Sequence, residues 1–452
     1  MLNRLRQTIA PLYLLACLIL GGSAQGIWAN MVLQLVGVGL IAWAAMVRGE
    51  QPLVRPATQL LLLIIAALAI VLVQLVPLPA ALWSNLPGRQ GLAADYRLLG
   101  LPTPALPISL APYASLNAFL GLIPPVAMVC AVIRLKASRA SWLTAALVAG
   151  TIAGVLIGAL QVGTTDAEAS PWYLYPETNI GVAVGFFANA NHMAILLVAT
   201  LPFLAAVLAA GRKAEIQHFS ALAAVTLGAG LVILVGILLN RSLAAYGLML
   251  PVLVASALIV IPGRNRVRPI LMAVAVLLLA GGIGLIAGNS TSPGKLGASE
   301  SVQTRQVMFA TTVRAAADFM PLGSGLGTFP TVYSLYEDPN SVTNTVVVHA
   351  HDDYAELALE TGLPGVLLTL LFLAWWGAGV WRVWRSTEPA PFARAASIAS
   401  AAILAHSLVD FPLRTAAIAS VFAMCIALLA DRRAPPPKEA GVLRPTRHVE
   451  FR

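Results

Sequence analysis

Residues 349–381 read HAHDDYAELALETGLPGVLLTLLFLAWWGAGVW, and within this stretch the chain changes solvent. The first half gathers two histidines and four carboxylates, Asp352, Asp353, Glu356 and Glu360. The second half, read as a span over 365 to 381, is uncharged and approaches the roughly 20 helical residues that cross about 30 Å of hydrocarbon. Charge is therefore collected where the chain enters a membrane. Apolar runs of this kind recur along the 452 residues, of which 59% are hydrophobic and 10% charged, with mean hydropathy +0.83. An average soluble domain carries about 25% charged residues, so a soluble globular domain is excluded.

The reading is an all-α polytopic membrane protein with about twelve spans: 8 to 24, 28 to 46, 57 to 77, 113 to 133, 141 to 161, 182 to 209, 219 to 239, 246 to 262, 269 to 288, 365 to 381, 395 to 410 and 415 to 430. The first is a retained helix rather than a removed signal peptide, because a second span follows almost at once. Four regions result: residues 1–288 with nine spans, a large external loop 289–364, residues 365–430 with three spans, and a basic, disordered tail 431–452.

Basic residues orient the chain. With the N-terminus cytoplasmic, 21 of the 28 lysines and arginines fall inside and 7 outside, which follows the positive-inside bias and places both termini in the cytoplasm. The net charge of +9 is accounted for by anionic lipid head groups at the inner surface and calls for no nucleic acid. Cys17, Cys130 and Cys425 all lie in predicted spans as small buried apolar side chains.

The external loop of about 75 residues is too long for an idle connection. Residues 299 to 319 read as a helix capped by Ser299 and stopped before Pro321. GSGLG, 323 to 327, is a turn without the strand and full glycine pattern of a nucleotide site. An irregular piece follows, and then a helix from His351 or Asp352 to a break at GLPG.

Five stretches, GFFANANHMAILL (185–197), LLNRSLAAYG (238–247), TRQVMFATTVRAAADFMPLGSGLGTF (304–329), AHDDYAELALETGLPG (350–365) and HSLVDFPLR (406–414), resemble in this order the landmarks of the O-antigen ligase and polymerase superfamily. Its members join lipid-carried glycans to acceptors outside the bacterial inner membrane. The family commonly has Ser before the arginine of the second landmark and Asn after the histidine of the fourth, where this chain has Asn240 and Asp352. The resemblance implies an undecaprenyl-diphosphate-linked saccharide donor, an acceptor such as lipid A core, a growing glycan or protein, and no cofactor.

The chemistry matches the residue types. A glycosyl diphosphate already has a good leaving group, so transfer needs charge stabilisation on the departing diphosphate and a base for the acceptor hydroxyl. Arginine binds phosphate oxygens through a fixed fork, and imidazole suits the base. The candidates are His351 as base or acceptor-binding group, with Arg241 at the outer end of the seventh span and, as the resemblance implies, Arg305 on the external helix for the diphosphate. Arg314, on that same helix, reads more readily as part of a solvated face. His349 and Asp352 line the pocket. Asn189 and Asn191 bind sugar hydroxyls or cap a broken helix. His406 and Asp410, four apart on one helical face, are expected to share an orienting hydrogen bond. HAHDD alone also suggests zinc, but HxH has no third ligand at a recognised spacing, so no metal site is assigned. A flippase or exporter is the competing class. It would place ionisable groups near mid-membrane, whereas here they collect on the outer side.

Overall fold

A computed structural model describes residues 2–24, 27–47, 52–137, 139–164, 166, 168–261, 296–339, 346–388 and 390–431, with isolated positions 274, 277, 278 and 281 and without the side chains of 2–5 and 296–304. The protein is mostly helical, at 73%, with almost no strand. Eight described helices are long and apolar enough to cross a membrane. These are α2 (Trp28–Met46), α3 (Arg55–Gln74), the pair α6 (Pro112–Gly121) and α7 (Ile123–Ile133), α8 (Ala140–Val162), α9 (Ala190–Lys213), α10 (Phe219–Asn240), α11 (Leu243–Val260) and α14 (Asp353–Arg385). Shorter apolar helices are α1 (Leu2–Leu20) and α16 (Ala416–Ala430), with α15 (Pro391–His406) before the latter.

The span expected over 182 to 209 is corrected at its start: residues 182–189 are not helical, and α9 begins at Ala190 under the cap of Asn189. The span expected over 269 to 288 and the tail 432–452 lie outside the described residues, as does 340–345 of the external loop.

Packing follows side-chain size. α9 is the most buried of the spanning helices and packs against α10, α11 and α15. α16, AAIASVFAMCIALLA, packs on α7 and α15 through alanines and serines, because small residues let membrane helices approach closely where no water-driven force joins them. Leu62 and Ile65 of α3, Val225, Leu227 and Leu231 of α10, and Leu367, Leu370 and Leu371 of α14 remain exposed. In lipid these side chains need no cover.

The bundle has two unlike ends. Arg134 donates to Ala44 O and Val47 O, Lys136 pairs with Asp431 at 3.0 Å, and Arg212, Lys213, Arg382 and Arg385 occupy the last turns of α9 and α14. At the other end lie the C-termini of α1, α3, α8, α10 and α15 and the N-termini of α9, α11, α14 and α16. They are joined there by bonds such as Ala417 N to Gly21 O, Ala188 N to Gly22 O and Asp353 N to Ser407 O.

A polar layer covers this second end. From residues 77–111 it takes β1 (Pro77–Leu78) paired with β2 (Leu106–Pro107), α4 (Ala80–Trp83) and α5 (Gln90–Leu98). From the large loop it takes α12 (Leu296–Phe319) and α13 (Phe329–Tyr336). Ser299 lies inside α12, which starts earlier than its expected cap, and α13 is a helix within a piece read as irregular. α14 begins at Asp353, just beyond the start expected at His351 or Asp352, and breaks at Gly362, whose φ of 60° and ψ of −154° suit glycine. A Cβ there would strike Pro321 O and Gly323 N, so the break is also where α14 meets the GSGLG turn.

Candidate active site

The site is assembled where residues 346–352 run into α14. Asp352 caps the helix, its Oδ1 accepting from Tyr354 N and Ala355 N, both at 2.9 Å. Burial raises its carboxyl above the ordinary value, an effect opposed by those two amides. His351, just before the cap, has φ of 53°, a left-handed conformation uncommon for a residue with a side chain. Bonds on both sides hold it: Ala350 N to Glu356 Oε2 and Asp353 N to Ser407 O, each 2.9 Å.

Two imidazole–carboxylate pairs result. His351 Nδ1 lies 3.0 Å from Asp410 Oδ1, and His349 Nδ1 lies 2.9 Å from Glu356 Oε1. An ionised carboxylate only accepts, so in each pair Nδ1 donates the hydrogen, and in the neutral form of the ring that tautomer leaves the Nε2 lone pair free. Both carboxylates are buried while the rings are partly exposed. Burial acts to raise the Asp410 carboxyl, but the hydrogen bond and charge of His351, with His192 and His406 nearby, outweigh it and hold the group well below the usual range.

The ring of Phe411 sits among three imidazoles: His349 at 4.2 Å between centroids, His351 at 5.0 Å and His192 at 5.1 Å. Phe411 thus keeps the two pairs apart as a rigid spacer. The expected bond between His406 and Asp410 is corrected. α15 ends at His406, Asp410 lies beyond its last turn, and the aspartate reaches His351 instead.

Arg305 donates from Nη1 to Val409 O at 3.0 Å, which places its guanidinium beside Asp410 with further donors to spare. Arg241 is the C-cap of α10, exposed, at φ 58°. It is held near the start of α9 by its neighbours: Asn240 Nδ2 donates to Ala183 O and Ala190 O, and Ser242 Oγ to Asn191 Oδ1 at 2.8 Å. Asn189 accepts from Asn191 N at 2.8 Å, so the structural role of these asparagines is the one their bonds display. Arg314 points elsewhere and donates to Tyr336 O.

Arg414 anchors the whole arrangement. Its Nη2 lies 3.0 Å from Glu360 Oε2 and 3.1 Å from Glu356 Oε1, and its Nε lies 3.6 Å from Asp353 Oδ1. Burial alone would lower its pKa, but the three carboxylates keep it charged. Through Glu356 it also fixes His349. Most of the charge at the start of α14 is therefore spent on holding the histidine segment to the 407–414 turn.

The GSGLG turn spends the amides of Gly323, Ser324 and Gly325 inside the fold. Gly323 N, Ser324 N and Gly325 N donate to Phe319 O, Leu359 O and Glu360 O, which leaves them nothing for a phosphate. The buried Arg89 clamps residues 77–111 onto this turn, donating to Ile108 O and Gly323 O at 2.6 and 2.8 Å and lying over the Phe319 ring. Arg89, His192, Arg414 and Phe411 were not singled out from the sequence. Asp353, Glu356 and Glu360 were noticed without a role. The spacing of 356 and 360, one helical turn, and the placement of Arg414 in the fifth landmark were the available signals.

Among the described residues no three histidine, cysteine or acidic side chains are grouped to hold a metal ion. The class defined by fold and site is a polytopic helical membrane protein with a histidine–arginine centre under a polar layer at one end. Residues 227–370 match the family model described as O-Antigen ligase, which supports the O-antigen ligase and polymerase superfamily. Members of that family are glycosyltransferase-like enzymes that use lipid-linked glycans in general, and with the apolar helices the match points to a bacterial membrane protein. The matched segment includes Arg241, Arg305, Arg314, His349, His351 and Asp352 and ends before Asp410 and Arg414. No curated protein matches the chain.

Proposed function

We propose that the protein transfers a glycan from an undecaprenyl-diphosphate carrier to an acceptor hydroxyl, as in ligation of O-antigen to lipid A core. The observation that carries this reading is the His351–Asp410 pair beside Arg305. Nε2 of His351 takes the hydroxyl proton as the acceptor oxygen bonds to the anomeric carbon. The bond from that carbon to the carrier phosphate breaks, and its electron pair leaves with the diphosphate. Arg305 and Arg241 bind that diphosphate and offset its growing charge. The acceptor could equally be the growing end of a repeat-unit polymer or a protein hydroxyl, since the same two groups serve any of these.

The basic end of the bundle favours a cytoplasmic location for both termini and a periplasmic one for the site in the inner membrane, with twelve spans when 269 to 288 is included. Impermeant labelling of single cysteines placed near Glu300 or Asn340 tests the orientation. Modification in intact spheroplasts supports it, and protection until lysis overturns it. Purified protein should form product from supplied lipid-linked donor without a proton gradient; dependence on a gradient would favour an exporter. A deletion strain that loses all lipid-attached polymer identifies a ligase, and single-repeat products identify a polymerase.

A further inference from the structure

Five buried side-chain atoms around the His351–Asp410 pair have no hydrogen-bond partner among the described residues: both ring nitrogens of His192, both of His406, and Oδ2 of Asp410. All three residues are almost fully buried. They come from separate places, the first turn of α9, the last turn of α15 and the loop after it, yet they lie close enough for His192 and His406 each to interact electrostatically with Asp410 and with one another. Burying unmatched polar atoms is costly, and proteins match them with internal water. Apolar side chains would fill the same space without that cost. Packing alone therefore does not account for the imidazoles at these two positions.

We propose that His192 and His406 are positioning residues that act on His351 through Asp410: bridged by internal water, their N–H groups hold Oδ2, keep the carboxylate ionised and aim Oδ1 at Nδ1 of His351. The hydrogen-bond arithmetic suits this. Two neutral imidazoles supply two donors and two acceptors, Oδ2 only accepts, and water, which does both, closes the circuit. The charged and titratable groups acting on Asp410 are His192 from α9, His351 from the segment before α14 and His406 from α15; around them, Arg305 from α12 binds the preceding Val409 O, His349 packs on the following Phe411, and Arg414 stands four residues on. Among the described residues, His192 and His406 are the two of these with no hydrogen-bond partner on either ring nitrogen. This inference rests on His351 being the base.

The test uses the full chain in lipid nanodiscs with a polyprenyl-diphosphate saccharide and a hydroxyl acceptor, following kcat and kcat/KM against pH. His192→Phe and His406→Phe should each lower kcat roughly tenfold, the scale of lost supporting hydrogen bonds at a site, with KM little changed. With fewer donors on its far oxygen, Asp410 holds the His351 proton more tightly, so the acid limb of kcat/KM moves to higher pH. Gln at either position, which keeps an N–H donor, should restore most of the rate and the native limb. If a Phe variant does not fold, Asn replaces it, since its shorter amide cannot reach the same circuit, and the same shift is expected. Folded Phe or Asn variants with native rate and profile, or Gln variants no better than Phe, would overturn the proposal. Such an outcome, with His351→Ala inactive, leaves the base assignment standing; activity in His351→Ala removes the base assignment itself.

Discussion

Replacing Arg414 by Met keeps most of the side-chain volume and removes one charge from a buried group of four. In the native protein the guanidinium stands 3.0 and 3.1 Å from Glu360 and Glu356, with Asp353 at 3.6 Å. Glu360 and Glu356 are almost completely buried. Removing one partner of a buried pair costs about 3–5 kcal/mol, because the charge left behind is uncompensated; here the carboxylates left behind also repel each other. Against a total stability of roughly 5–15 kcal/mol this is a large fraction, so Arg414→Met should lower the thermal midpoint of the detergent-solubilised protein steeply. The local effect reaches further, since Glu356 bonds both Arg414 and His349. Adding Glu360→Gln to Arg414→Met should recover part of the loss, because one unpaired charge is then neutralised. A midpoint within a few degrees of wild type for Arg414→Met, or no recovery in the double variant, would refute the reasoning.

Arg305→Lys and Arg241→Lys keep the charge but lose the bidentate fork, so each should reduce turnover on lipid-linked donor at least tenfold with little change in melting; native turnover in both would remove the diphosphate assignment. Asp352→Ala should cost about 1 kcal/mol through the lost helix cap, whereas Asp352→Asn, which still presents an accepting oxygen, should melt and turn over as wild type. Comparing the three midpoints decides whether the carboxylate charge at 352 matters beyond the cap.

The membrane class was legible because periodicity is unnecessary when whole runs are apolar: the runs from Leu60 and from Leu222 admit little besides spans. The break at Gly362 was legible too, since Gly-Leu-Pro-Gly names a conformation few other sequences tolerate. What was hidden depends on which element meets which. Asp410 looked like the partner of His406 because a helical spacing of four was assumed, but α15 stops at His406 and frees Asp410 for His351, 59 positions away in the chain. Arg414 and Glu360 are 54 apart, and only the folded arrangement pairs them. The start of α9 was misjudged because 182–189 is apolar without being helical; its backbone is bound by Gln161, whose amide serves Val184 N, Gly185 N and Gly185 O. No local feature of NLPGRQG announces that the Arg89 guanidinium is buried.

The central claim is that His351, oriented by Asp410, accepts the proton of the attacking hydroxyl. It is tested most directly by transfer rates of His351→Ala and His349→Ala in purified form, with folding checked by melting and with a chelator present or absent. The account predicts that His351→Ala abolishes transfer in a folded protein, that His349→Ala is much milder, and that chelation changes neither. Full activity in His351→Ala, or loss of wild-type activity on chelation with recovery on adding zinc, would contradict it.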